Sequence, residues 1–253
     1  MTRVLNESTG AVRTVTLNRP EKRNAMDSQM LEELAAAFAV APAAEERVVV
    51  IRSTGSVFCA GLDLRERIGG AAVGGASPIE AVLHAIEQYP LPTVAVVQGD
   101  AIAGGNELAL HCDFVVASTA ASFGMSLAQI GLAPTWFLAK KLLEVAGPVA
   151  TREVLLLGNP LNATRMFELG VIARLAEPAD LEASASELID RLAANAPLSL
   201  RAMKALLLRE MQFRDEIPHA DVDALVDTAR MSTDAREGIA ARLEKRKPTF
   251  EGR

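Results

Sequence analysis

Gly99-Asp100-Ala101-Ile102-Ala103-Gly104-Gly105-Asn106-Glu107-Leu108 connects one apolar run, Thr93 to Val97, to the start of another, Leu108-Ala109-Leu110. The first run is short and rich in β-branched residues, which suits a strand buried on both faces of a parallel sheet. The second reads as a helix that opens within the quoted stretch. Glycine at a strand-to-helix turn adopts dihedrals closed to other residues and lets a second group approach the backbone closely. Free N–H groups at a helix start, helped by the helix dipole, favour an oxygen carrying negative charge. A second segment, Phe58-Cys59-Ala60-Gly61-Leu62-Asp63-Leu64, stands in the same relation to the apolar run Val48 to Arg52. Two donors from such segments can converge into an oxyanion hole. Taken singly, either glycine segment is weak evidence, since Gly-Gly before a helix more often solves a packing problem than a catalytic one.

Working outward, Val12 to Leu17 reads as a strand entered by a turn at Ser8-Thr9-Gly10, and Asp113 to Ala117 as a further buried parallel strand. Asp27 is placed to cap a helix whose buried face carries Met30, Leu31, Leu34 and Phe38. A Gly- and Ala-rich stretch, Ile68 to Ser77, precedes a helix from about Pro78 to Gln88 with proline in its first turn. That stretch reads as a lid or as a surface insertion. From Thr135 onward the pattern is almost wholly helical, punctuated at Gly147-Pro148, Gly158-Asn159-Pro160 and Ala196-Pro197. A last strand is expected over Val171 to Leu175, and helices over Ser199–Gln212, Ala220–Met231 and Asp234–Lys245. Strands first and helices last give an α/β core, residues 1–196, with an appended helical module, residues 197–253.

Composition narrows the partners. The 253 residues carry a formal charge of −6, with half of them apolar and 23% charged. That is a globular chain without a broad nucleic-acid face. No apolar stretch is long enough to span a bilayer, and the first twenty residues contain neither a signal core nor a basic amphipathic helix, so no membrane association and a cytoplasmic location are expected. Cys59 and Cys112 make no disulfide framework and read as small buried hydrophobes. No metal-ligand cluster, Walker loop, G-x-G-x-x-G after the first strand, G-x-S-x-G or H-E-x-x-H is present, and nothing calls for nicotinamide or flavin.

Taken together, the segments resemble the crotonase (enoyl-CoA hydratase/isomerase) superfamily over essentially the full length. The likeness is carried by Asn18-Arg19-Pro20 with Arg23-Asn24-Ala25-Met26, by Phe58 to Leu64, and by Gly104-Gly105-Asn106-Glu107 with Cys112-Asp113. Phe123-Gly124, Gly131-Leu132-Ala133-Pro134 and the ending Leu243-Glu244-Lys245-Arg246-Lys247-Pro248-Thr249-Phe250 continue it. The resemblance implies a crotonase-like spiral of β-β-α units with C-terminal helices that build a homotrimer or a dimer of trimers. It implies an acyl-CoA substrate, with coenzyme A as the carrier and no other cofactor. The oxyanion donors would be the N–H groups of Leu62 and Gly104. Ala60 and the segment from Arg23 through Ala25 would lie against the adenine and pantetheine. Arg23, Arg65 or Lys247 would contact phosphate, with solvated charge the alternative for the last two. Phe250, from a neighbouring subunit, would close the adenine pocket or else anchor the tail.

Within that resemblance Glu107 matches the first of two glutamates that family hydratases place around one water, and it is the expected proton-transfer group. A glutamate in a first helical turn is also favoured by the helix dipole alone. The second glutamate is replaced by Leu127, which cannot move a proton, and this departure weakens the expectation of ordinary hydration. Trp136 is a further departure; it either walls the acyl pocket or packs as a core aromatic. His111, four residues after Glu107, would orient the carboxylate or pack as a buried histidine. Ser126 and Gln129 would position water or substrate or satisfy backbone groups. His84 lies on the helix after the glycine-rich stretch, within possible reach of the pocket. The expected activity is proton transfer on an acyl-CoA of hydratase/isomerase type. A lyase or decarboxylase using the same hole, or a non-catalytic acyl-CoA carrier, stand as alternatives.

Overall fold

The computed structural model describes residues 2–67 and 77–252. Most of the Gly- and Ala-rich stretch, residues 68–76, lies outside them. Six strands form the main sheet: β1 (Val4–Thr9), β2 (Val12–Leu17), β3 (Val48–Ser53), β4 (Thr93–Val97), β6 (Phe114–Ser118) and β9 (Arg174–Ala176), in the order β1-β2-β3-β4-β6-β9. Only the β1–β2 hairpin is antiparallel. A smaller sheet contains β5 (Ala101–Ile102), β7 (Ser122–Gly124) and β8 (Leu161–Asn162).

The main sheet is covered on both sides, which explains its near-continuous apolar runs. Successive side chains of a strand point to opposite faces. Val49 and Ile51 of β3 therefore join one core with Met30, Leu34 and Phe38 of α1 (Ser28–Ala39). That core also takes Val82, Leu83 and Ile86 of α3 (Pro78–Glu87) and Leu108 of α4 (Gly104–Leu110). Val48 and Val50 face the other way, with Val94, Val96 and Val116, against Leu181, Ala185, Leu188 and Ile189 of α7 (Leu181–Ala194). Asp27 caps α1 as expected, its carboxylate accepting the Met30 N–H at 2.9 Å.

The remaining helices are α2 (Leu64–Arg67), α5 (Trp136–Arg152), α6 (Ala163–Glu168), α8 (Pro197–Met211), α9 (Ala220–Met231) and α10 (Thr233–Glu244). Gly147-Pro148 interrupts α5 as expected: Gly147, at φ 72° and ψ 171°, leaves the helical region, and two helical stretches meet there at a kink. The last strand begins three residues later than expected, because Val171 and Ile172 enter the core ahead of the ladder. Helix α10 folds back against the loop after β7, where Gly238 meets the Ile130 backbone so closely that a Cβ there would stand 2.4 Å from the Ile130 carbonyl. No described helix is long and apolar enough to cross a membrane.

Candidate active site

The segments that follow β3 and β4 are bonded to each other. Cys59 and Ala101 form a parallel bridge, in which Cys59 N–H donates to the Asp100 carbonyl at 3.1 Å and Ile102 N–H to the Cys59 carbonyl at 2.9 Å. On its other side the first segment pairs with the chain just before α1. Met26 N–H donates to the Gly61 carbonyl at 2.8 Å and Asp63 N–H to the Met26 carbonyl at 2.9 Å. Those bonds use the neighbours of Leu62 and leave its own N–H on the opposite side, without a partner among the described residues. Gly104 opens α4, and its N–H is likewise one of the orphan donors of a helix start.

Two glycines make this contact possible. Gly61 has φ +90°, and a Cβ on it would stand 2.9 Å from the Ile102 carbonyl oxygen and 3.1 Å from the Gly104 nitrogen. A Cβ on Gly105 would stand 2.1 Å from the Cys59 carbonyl oxygen. The turn between β5 and α4 is itself strained: Ala103 holds φ 50° and ψ −118°, with its N–H fixed on the Gly124 carbonyl at 2.7 Å. A non-glycine residue there costs on the order of 1–3 kcal/mol, which the bonded surroundings must offset.

Leu62 and Gly104 line one cavity of about 510 Å³ together with Glu107. Glu107 is fully buried from bulk solvent, yet neither carboxylate oxygen has a hydrogen-bond partner among the described residues. Burial pushes its pKa well above the usual carboxylate range; the Lys141 charge opposes that shift and the Glu80 charge adds to it. Lys141 itself is paired at 2.6 Å with Glu87. His111 sits one turn on, with Nδ1 at 2.8 Å from the Glu107 backbone carbonyl and 3.9 Å from its carboxylate. The backbone contact places the ring proton on Nδ1. Burial, reinforced by the Lys141 charge, lowers the His111 pKa to about 4, so the imidazole is neutral and stacks on Phe137 with centroids 5.0 Å apart. It holds the helix backbone and does not bond the carboxylate.

Most of the expected residues meet in this cavity. Arg23, Ala25, Ala60 and Arg65 line it, as do Ser126, Leu127 and Gln129. Ser126 accepts from Arg242 at 3.0 Å, and Gln129 donates to Asn159 Oδ1 at 3.0 Å. Four residues lie elsewhere. Trp136 stacks on His219 of the C-terminal region, centroids 4.6 Å apart, and is not among the lining residues. Lys247 and Phe250 line an adjoining open groove with Gly238 and Ala241. His84 is exposed and touches Phe137 edge-on. Among the lining residues not singled out from sequence is Glu80, one turn before His84 on α3. Its only signal was a glutamate directly after the Pro78-Ile79 helix start, a place where acidic residues are favoured for the helix dipole alone.

The family model for enoyl-CoA hydratase/isomerase matches residues 7–253. An enoyl-CoA isomerase/hydratase of Mycosarcoma maydis is 32% identical, covering 98% of this chain and 94% of its own. An enoyl-CoA hydratase of Mycobacterium tuberculosis is also 32% identical, covering 98% and 96%. Among solved structures, carnitinyl-CoA hydratase from Mycobacterium avium superposes with a TM-score of 0.88 at 29% identity over the whole of both chains. Methylmalonyl-CoA decarboxylase reaches 0.90 at 23% identity, covering 99% of this chain and 98% of its own, a likeness of fold alone. The architecture is thus the α/β crotonase fold.

Proposed function

We propose that this chain, which belongs to the enoyl-CoA hydratase/isomerase family, seats an acyl-CoA thioester with its carbonyl oxygen between the N–H groups of Leu62 and Gly104 and moves protons at the adjoining carbons with Glu107. One observation carries the reading: the N–H groups of Leu62 and Gly104 and the fully buried Glu107 carboxylate, none with a hydrogen-bond partner among the described residues, line the same cavity. Removing a proton beside the carbonyl, or adding to a conjugated double bond, places negative charge on the thioester oxygen. Fixed dipoles stabilise that charge more than they stabilise the ground state, and one such donor contributes on the order of 3 kcal/mol. A glutamate with a raised pKa is suited to give or take a proton near neutral pH.

Arg23, Ala25 and Ala60 lie at the cavity wall on the Leu62 side, which fits the coenzyme A moiety, with Arg65 in reach of phosphate. Lys247 and Phe250, in the neighbouring groove, would complete the nucleotide site of another copy. The C-terminal helices support assembly into a trimer or a pair of trimers, because Leu198, Leu206, Leu207, Leu225 and Met231 are exposed there. Coenzyme A serves as the substrate's carrier.

Leu127 favours a second reading, an acyl-CoA carrier without turnover. A panel of short and long enoyl-CoA esters separates the two. Gain of one water, or an unchanged mass with a moved double bond by NMR, abolished by Glu107→Gln with ester binding retained, supports the enzyme. Tight binding with no change in any ester, indifferent to Glu107→Gln, overturns it.

A further inference from the structure

The first turn of α3 is seated on the oxyanion segment. A Cβ on Gly104 would stand 2.7 Å from Ile79 Cδ1, so Ile79 packs directly over the Gly104 backbone. The next residue, Glu80, lines the same cavity as Glu107. A glutamate at the third position of a helix ordinarily reaches back to bond the helix start. Glu80 does not act in this way: its Oε1 is buried without any hydrogen-bond partner among the described residues, and Ser77, the cap residue, makes no side-chain cap bond. Leaving a carboxylate oxygen buried and unsatisfied is costly, and such groups in a cavity await a ligand or a water.

Four carboxylates line the cavity: Asp63 and Asp100 are paired with Arg19 and Arg23, whereas Glu80 and Glu107, on different helices, each keep a buried oxygen without a hydrogen-bond partner among the described residues. The charge of Glu80 adds to the burial that raises the Glu107 pKa. Two carboxyls that line one cavity can share the giving and the taking of a proton. Leu127, also in the wall, supplies neither.

Building on the function proposed above, we propose that Glu80 is the second proton-transfer group, taking over from α3 the task that Leu127 cannot perform from the loop after β7. In hydration of an enoyl-CoA, the Glu80 carboxylate takes a proton from water as the water oxygen bonds to Cβ. The carbon–carbon π pair shifts toward the carbonyl, whose own π pair moves onto the thioester oxygen held by Leu62 and Gly104. The enolate then collapses as Cα takes the proton of the Glu107 carboxyl. Glu80 ends protonated and Glu107 ionised, and proton exchange with solvent resets both.

The test pairs net hydration with a partial reaction that needs Glu107 and the oxyanion hole alone: exchange of the α-proton of a saturated acyl-CoA in D₂O, followed by NMR. Glu80→Gln is expected to lower kcat for hydration about 100-fold or more, with KM and α-proton exchange little changed; Glu80→Asp should recover part of the rate. Glu107→Gln should lose both reactions. Hydration undiminished in Glu80→Gln, or wild-type exchange without hydration of any enoyl-CoA, overturns the Glu80 role and leaves the site reading intact. A wild-type chain that binds acyl-CoA but neither exchanges nor hydrates overturns the site reading itself. Loss of exchange together with hydration in a folded Glu80→Gln chain marks a structural role and also overturns the assignment.

Discussion

Replacing Gly105 by alanine tests how the two oxyanion segments are held. The new Cβ would lie 2.1 Å from the Cys59 carbonyl oxygen and 2.8 Å from its carbon, whereas ordinary contact begins at 3.4 Å. The obstacle is peptide backbone, so no side-chain rotation relieves it, and the segments must part by more than about 1 Å. That carbonyl also accepts the Ile102 N–H at 2.9 Å, so the bridge joining the segments opens with it. Oxyanion donors work only within about 2.7–3.1 Å of the oxygen, and losing one costs roughly 3–4 kcal/mol, or about 10²–10³ in kcat. Overpacking should cost about 1–3 kcal/mol of stability as well. Gly10→Ala is the control. Its Cβ meets nothing, but its φ of +58° is strained for alanine, so it should cost about 1–2 kcal/mol without touching the site. Steady-state kinetics on the best enoyl-CoA substrate, with urea unfolding of each variant, give both quantities. A folded Gly105→Ala chain with kcat within about threefold of the parent would refute the reasoning, since about 3 kcal/mol of donor loss cannot hide in that margin.

Further outcomes follow from the site's surroundings. Asn24 is fully buried at φ 52°, accepts the Arg19 N–H at 2.8 Å and donates to the Thr54 and Val57 carbonyls at 2.8 and 2.9 Å. Asn24→Ala should therefore lose about 2–4 kcal/mol in urea unfolding. Glu107 has a raised folded pKa, so the native state holds its proton more tightly than the unfolded chain. Its contribution is favourable below the unfolded pKa and is lost as pH rises through the folded value. Glu107→Gln should raise the unfolding midpoint at neutral and alkaline pH, with the gain vanishing in acid; a constant difference across pH would contradict this. The His111 ring resonances should stay fixed through the neutral range and move only as pH approaches about 4; a midpoint near the free imidazole value would show that the ring is solvated.

Much of the scaffold was legible because single elements carried their own signals. Val12 to Leu17 alternates, Val48 to Ile51 and Thr93 to Val97 are buried on both faces, and Asp27 announces α1. Strand β1 was not legible: after Val4 its residues are exposed, and it exists through its ladder with β2 and the Glu33 carboxylate that accepts the Arg3 and Val4 N–H groups. The two glycine segments were visible as separate turns, but their docking depends on Gly61 and Gly105 meeting backbone across a long stretch of chain. Glu80 and Trp136 show the same limit. A first-turn glutamate looks like helix electrostatics until the cavity is seen, and Trp136 read equally as a pocket wall or a core aromatic until His219 was found stacked on it.

The central claim is that the N–H groups of Leu62 and Gly104 hold a thioester oxygen. The most direct measurement is the ¹³C resonance of an acyl-CoA labelled at the carbonyl, bound to Glu107→Gln so that no turnover intervenes. Two converging donors polarise the carbonyl, so the bound resonance should move downfield of the free ester, and the shift should collapse when Gly105→Ala is added. A fully bound ester whose carbonyl keeps its free resonance would contradict the account.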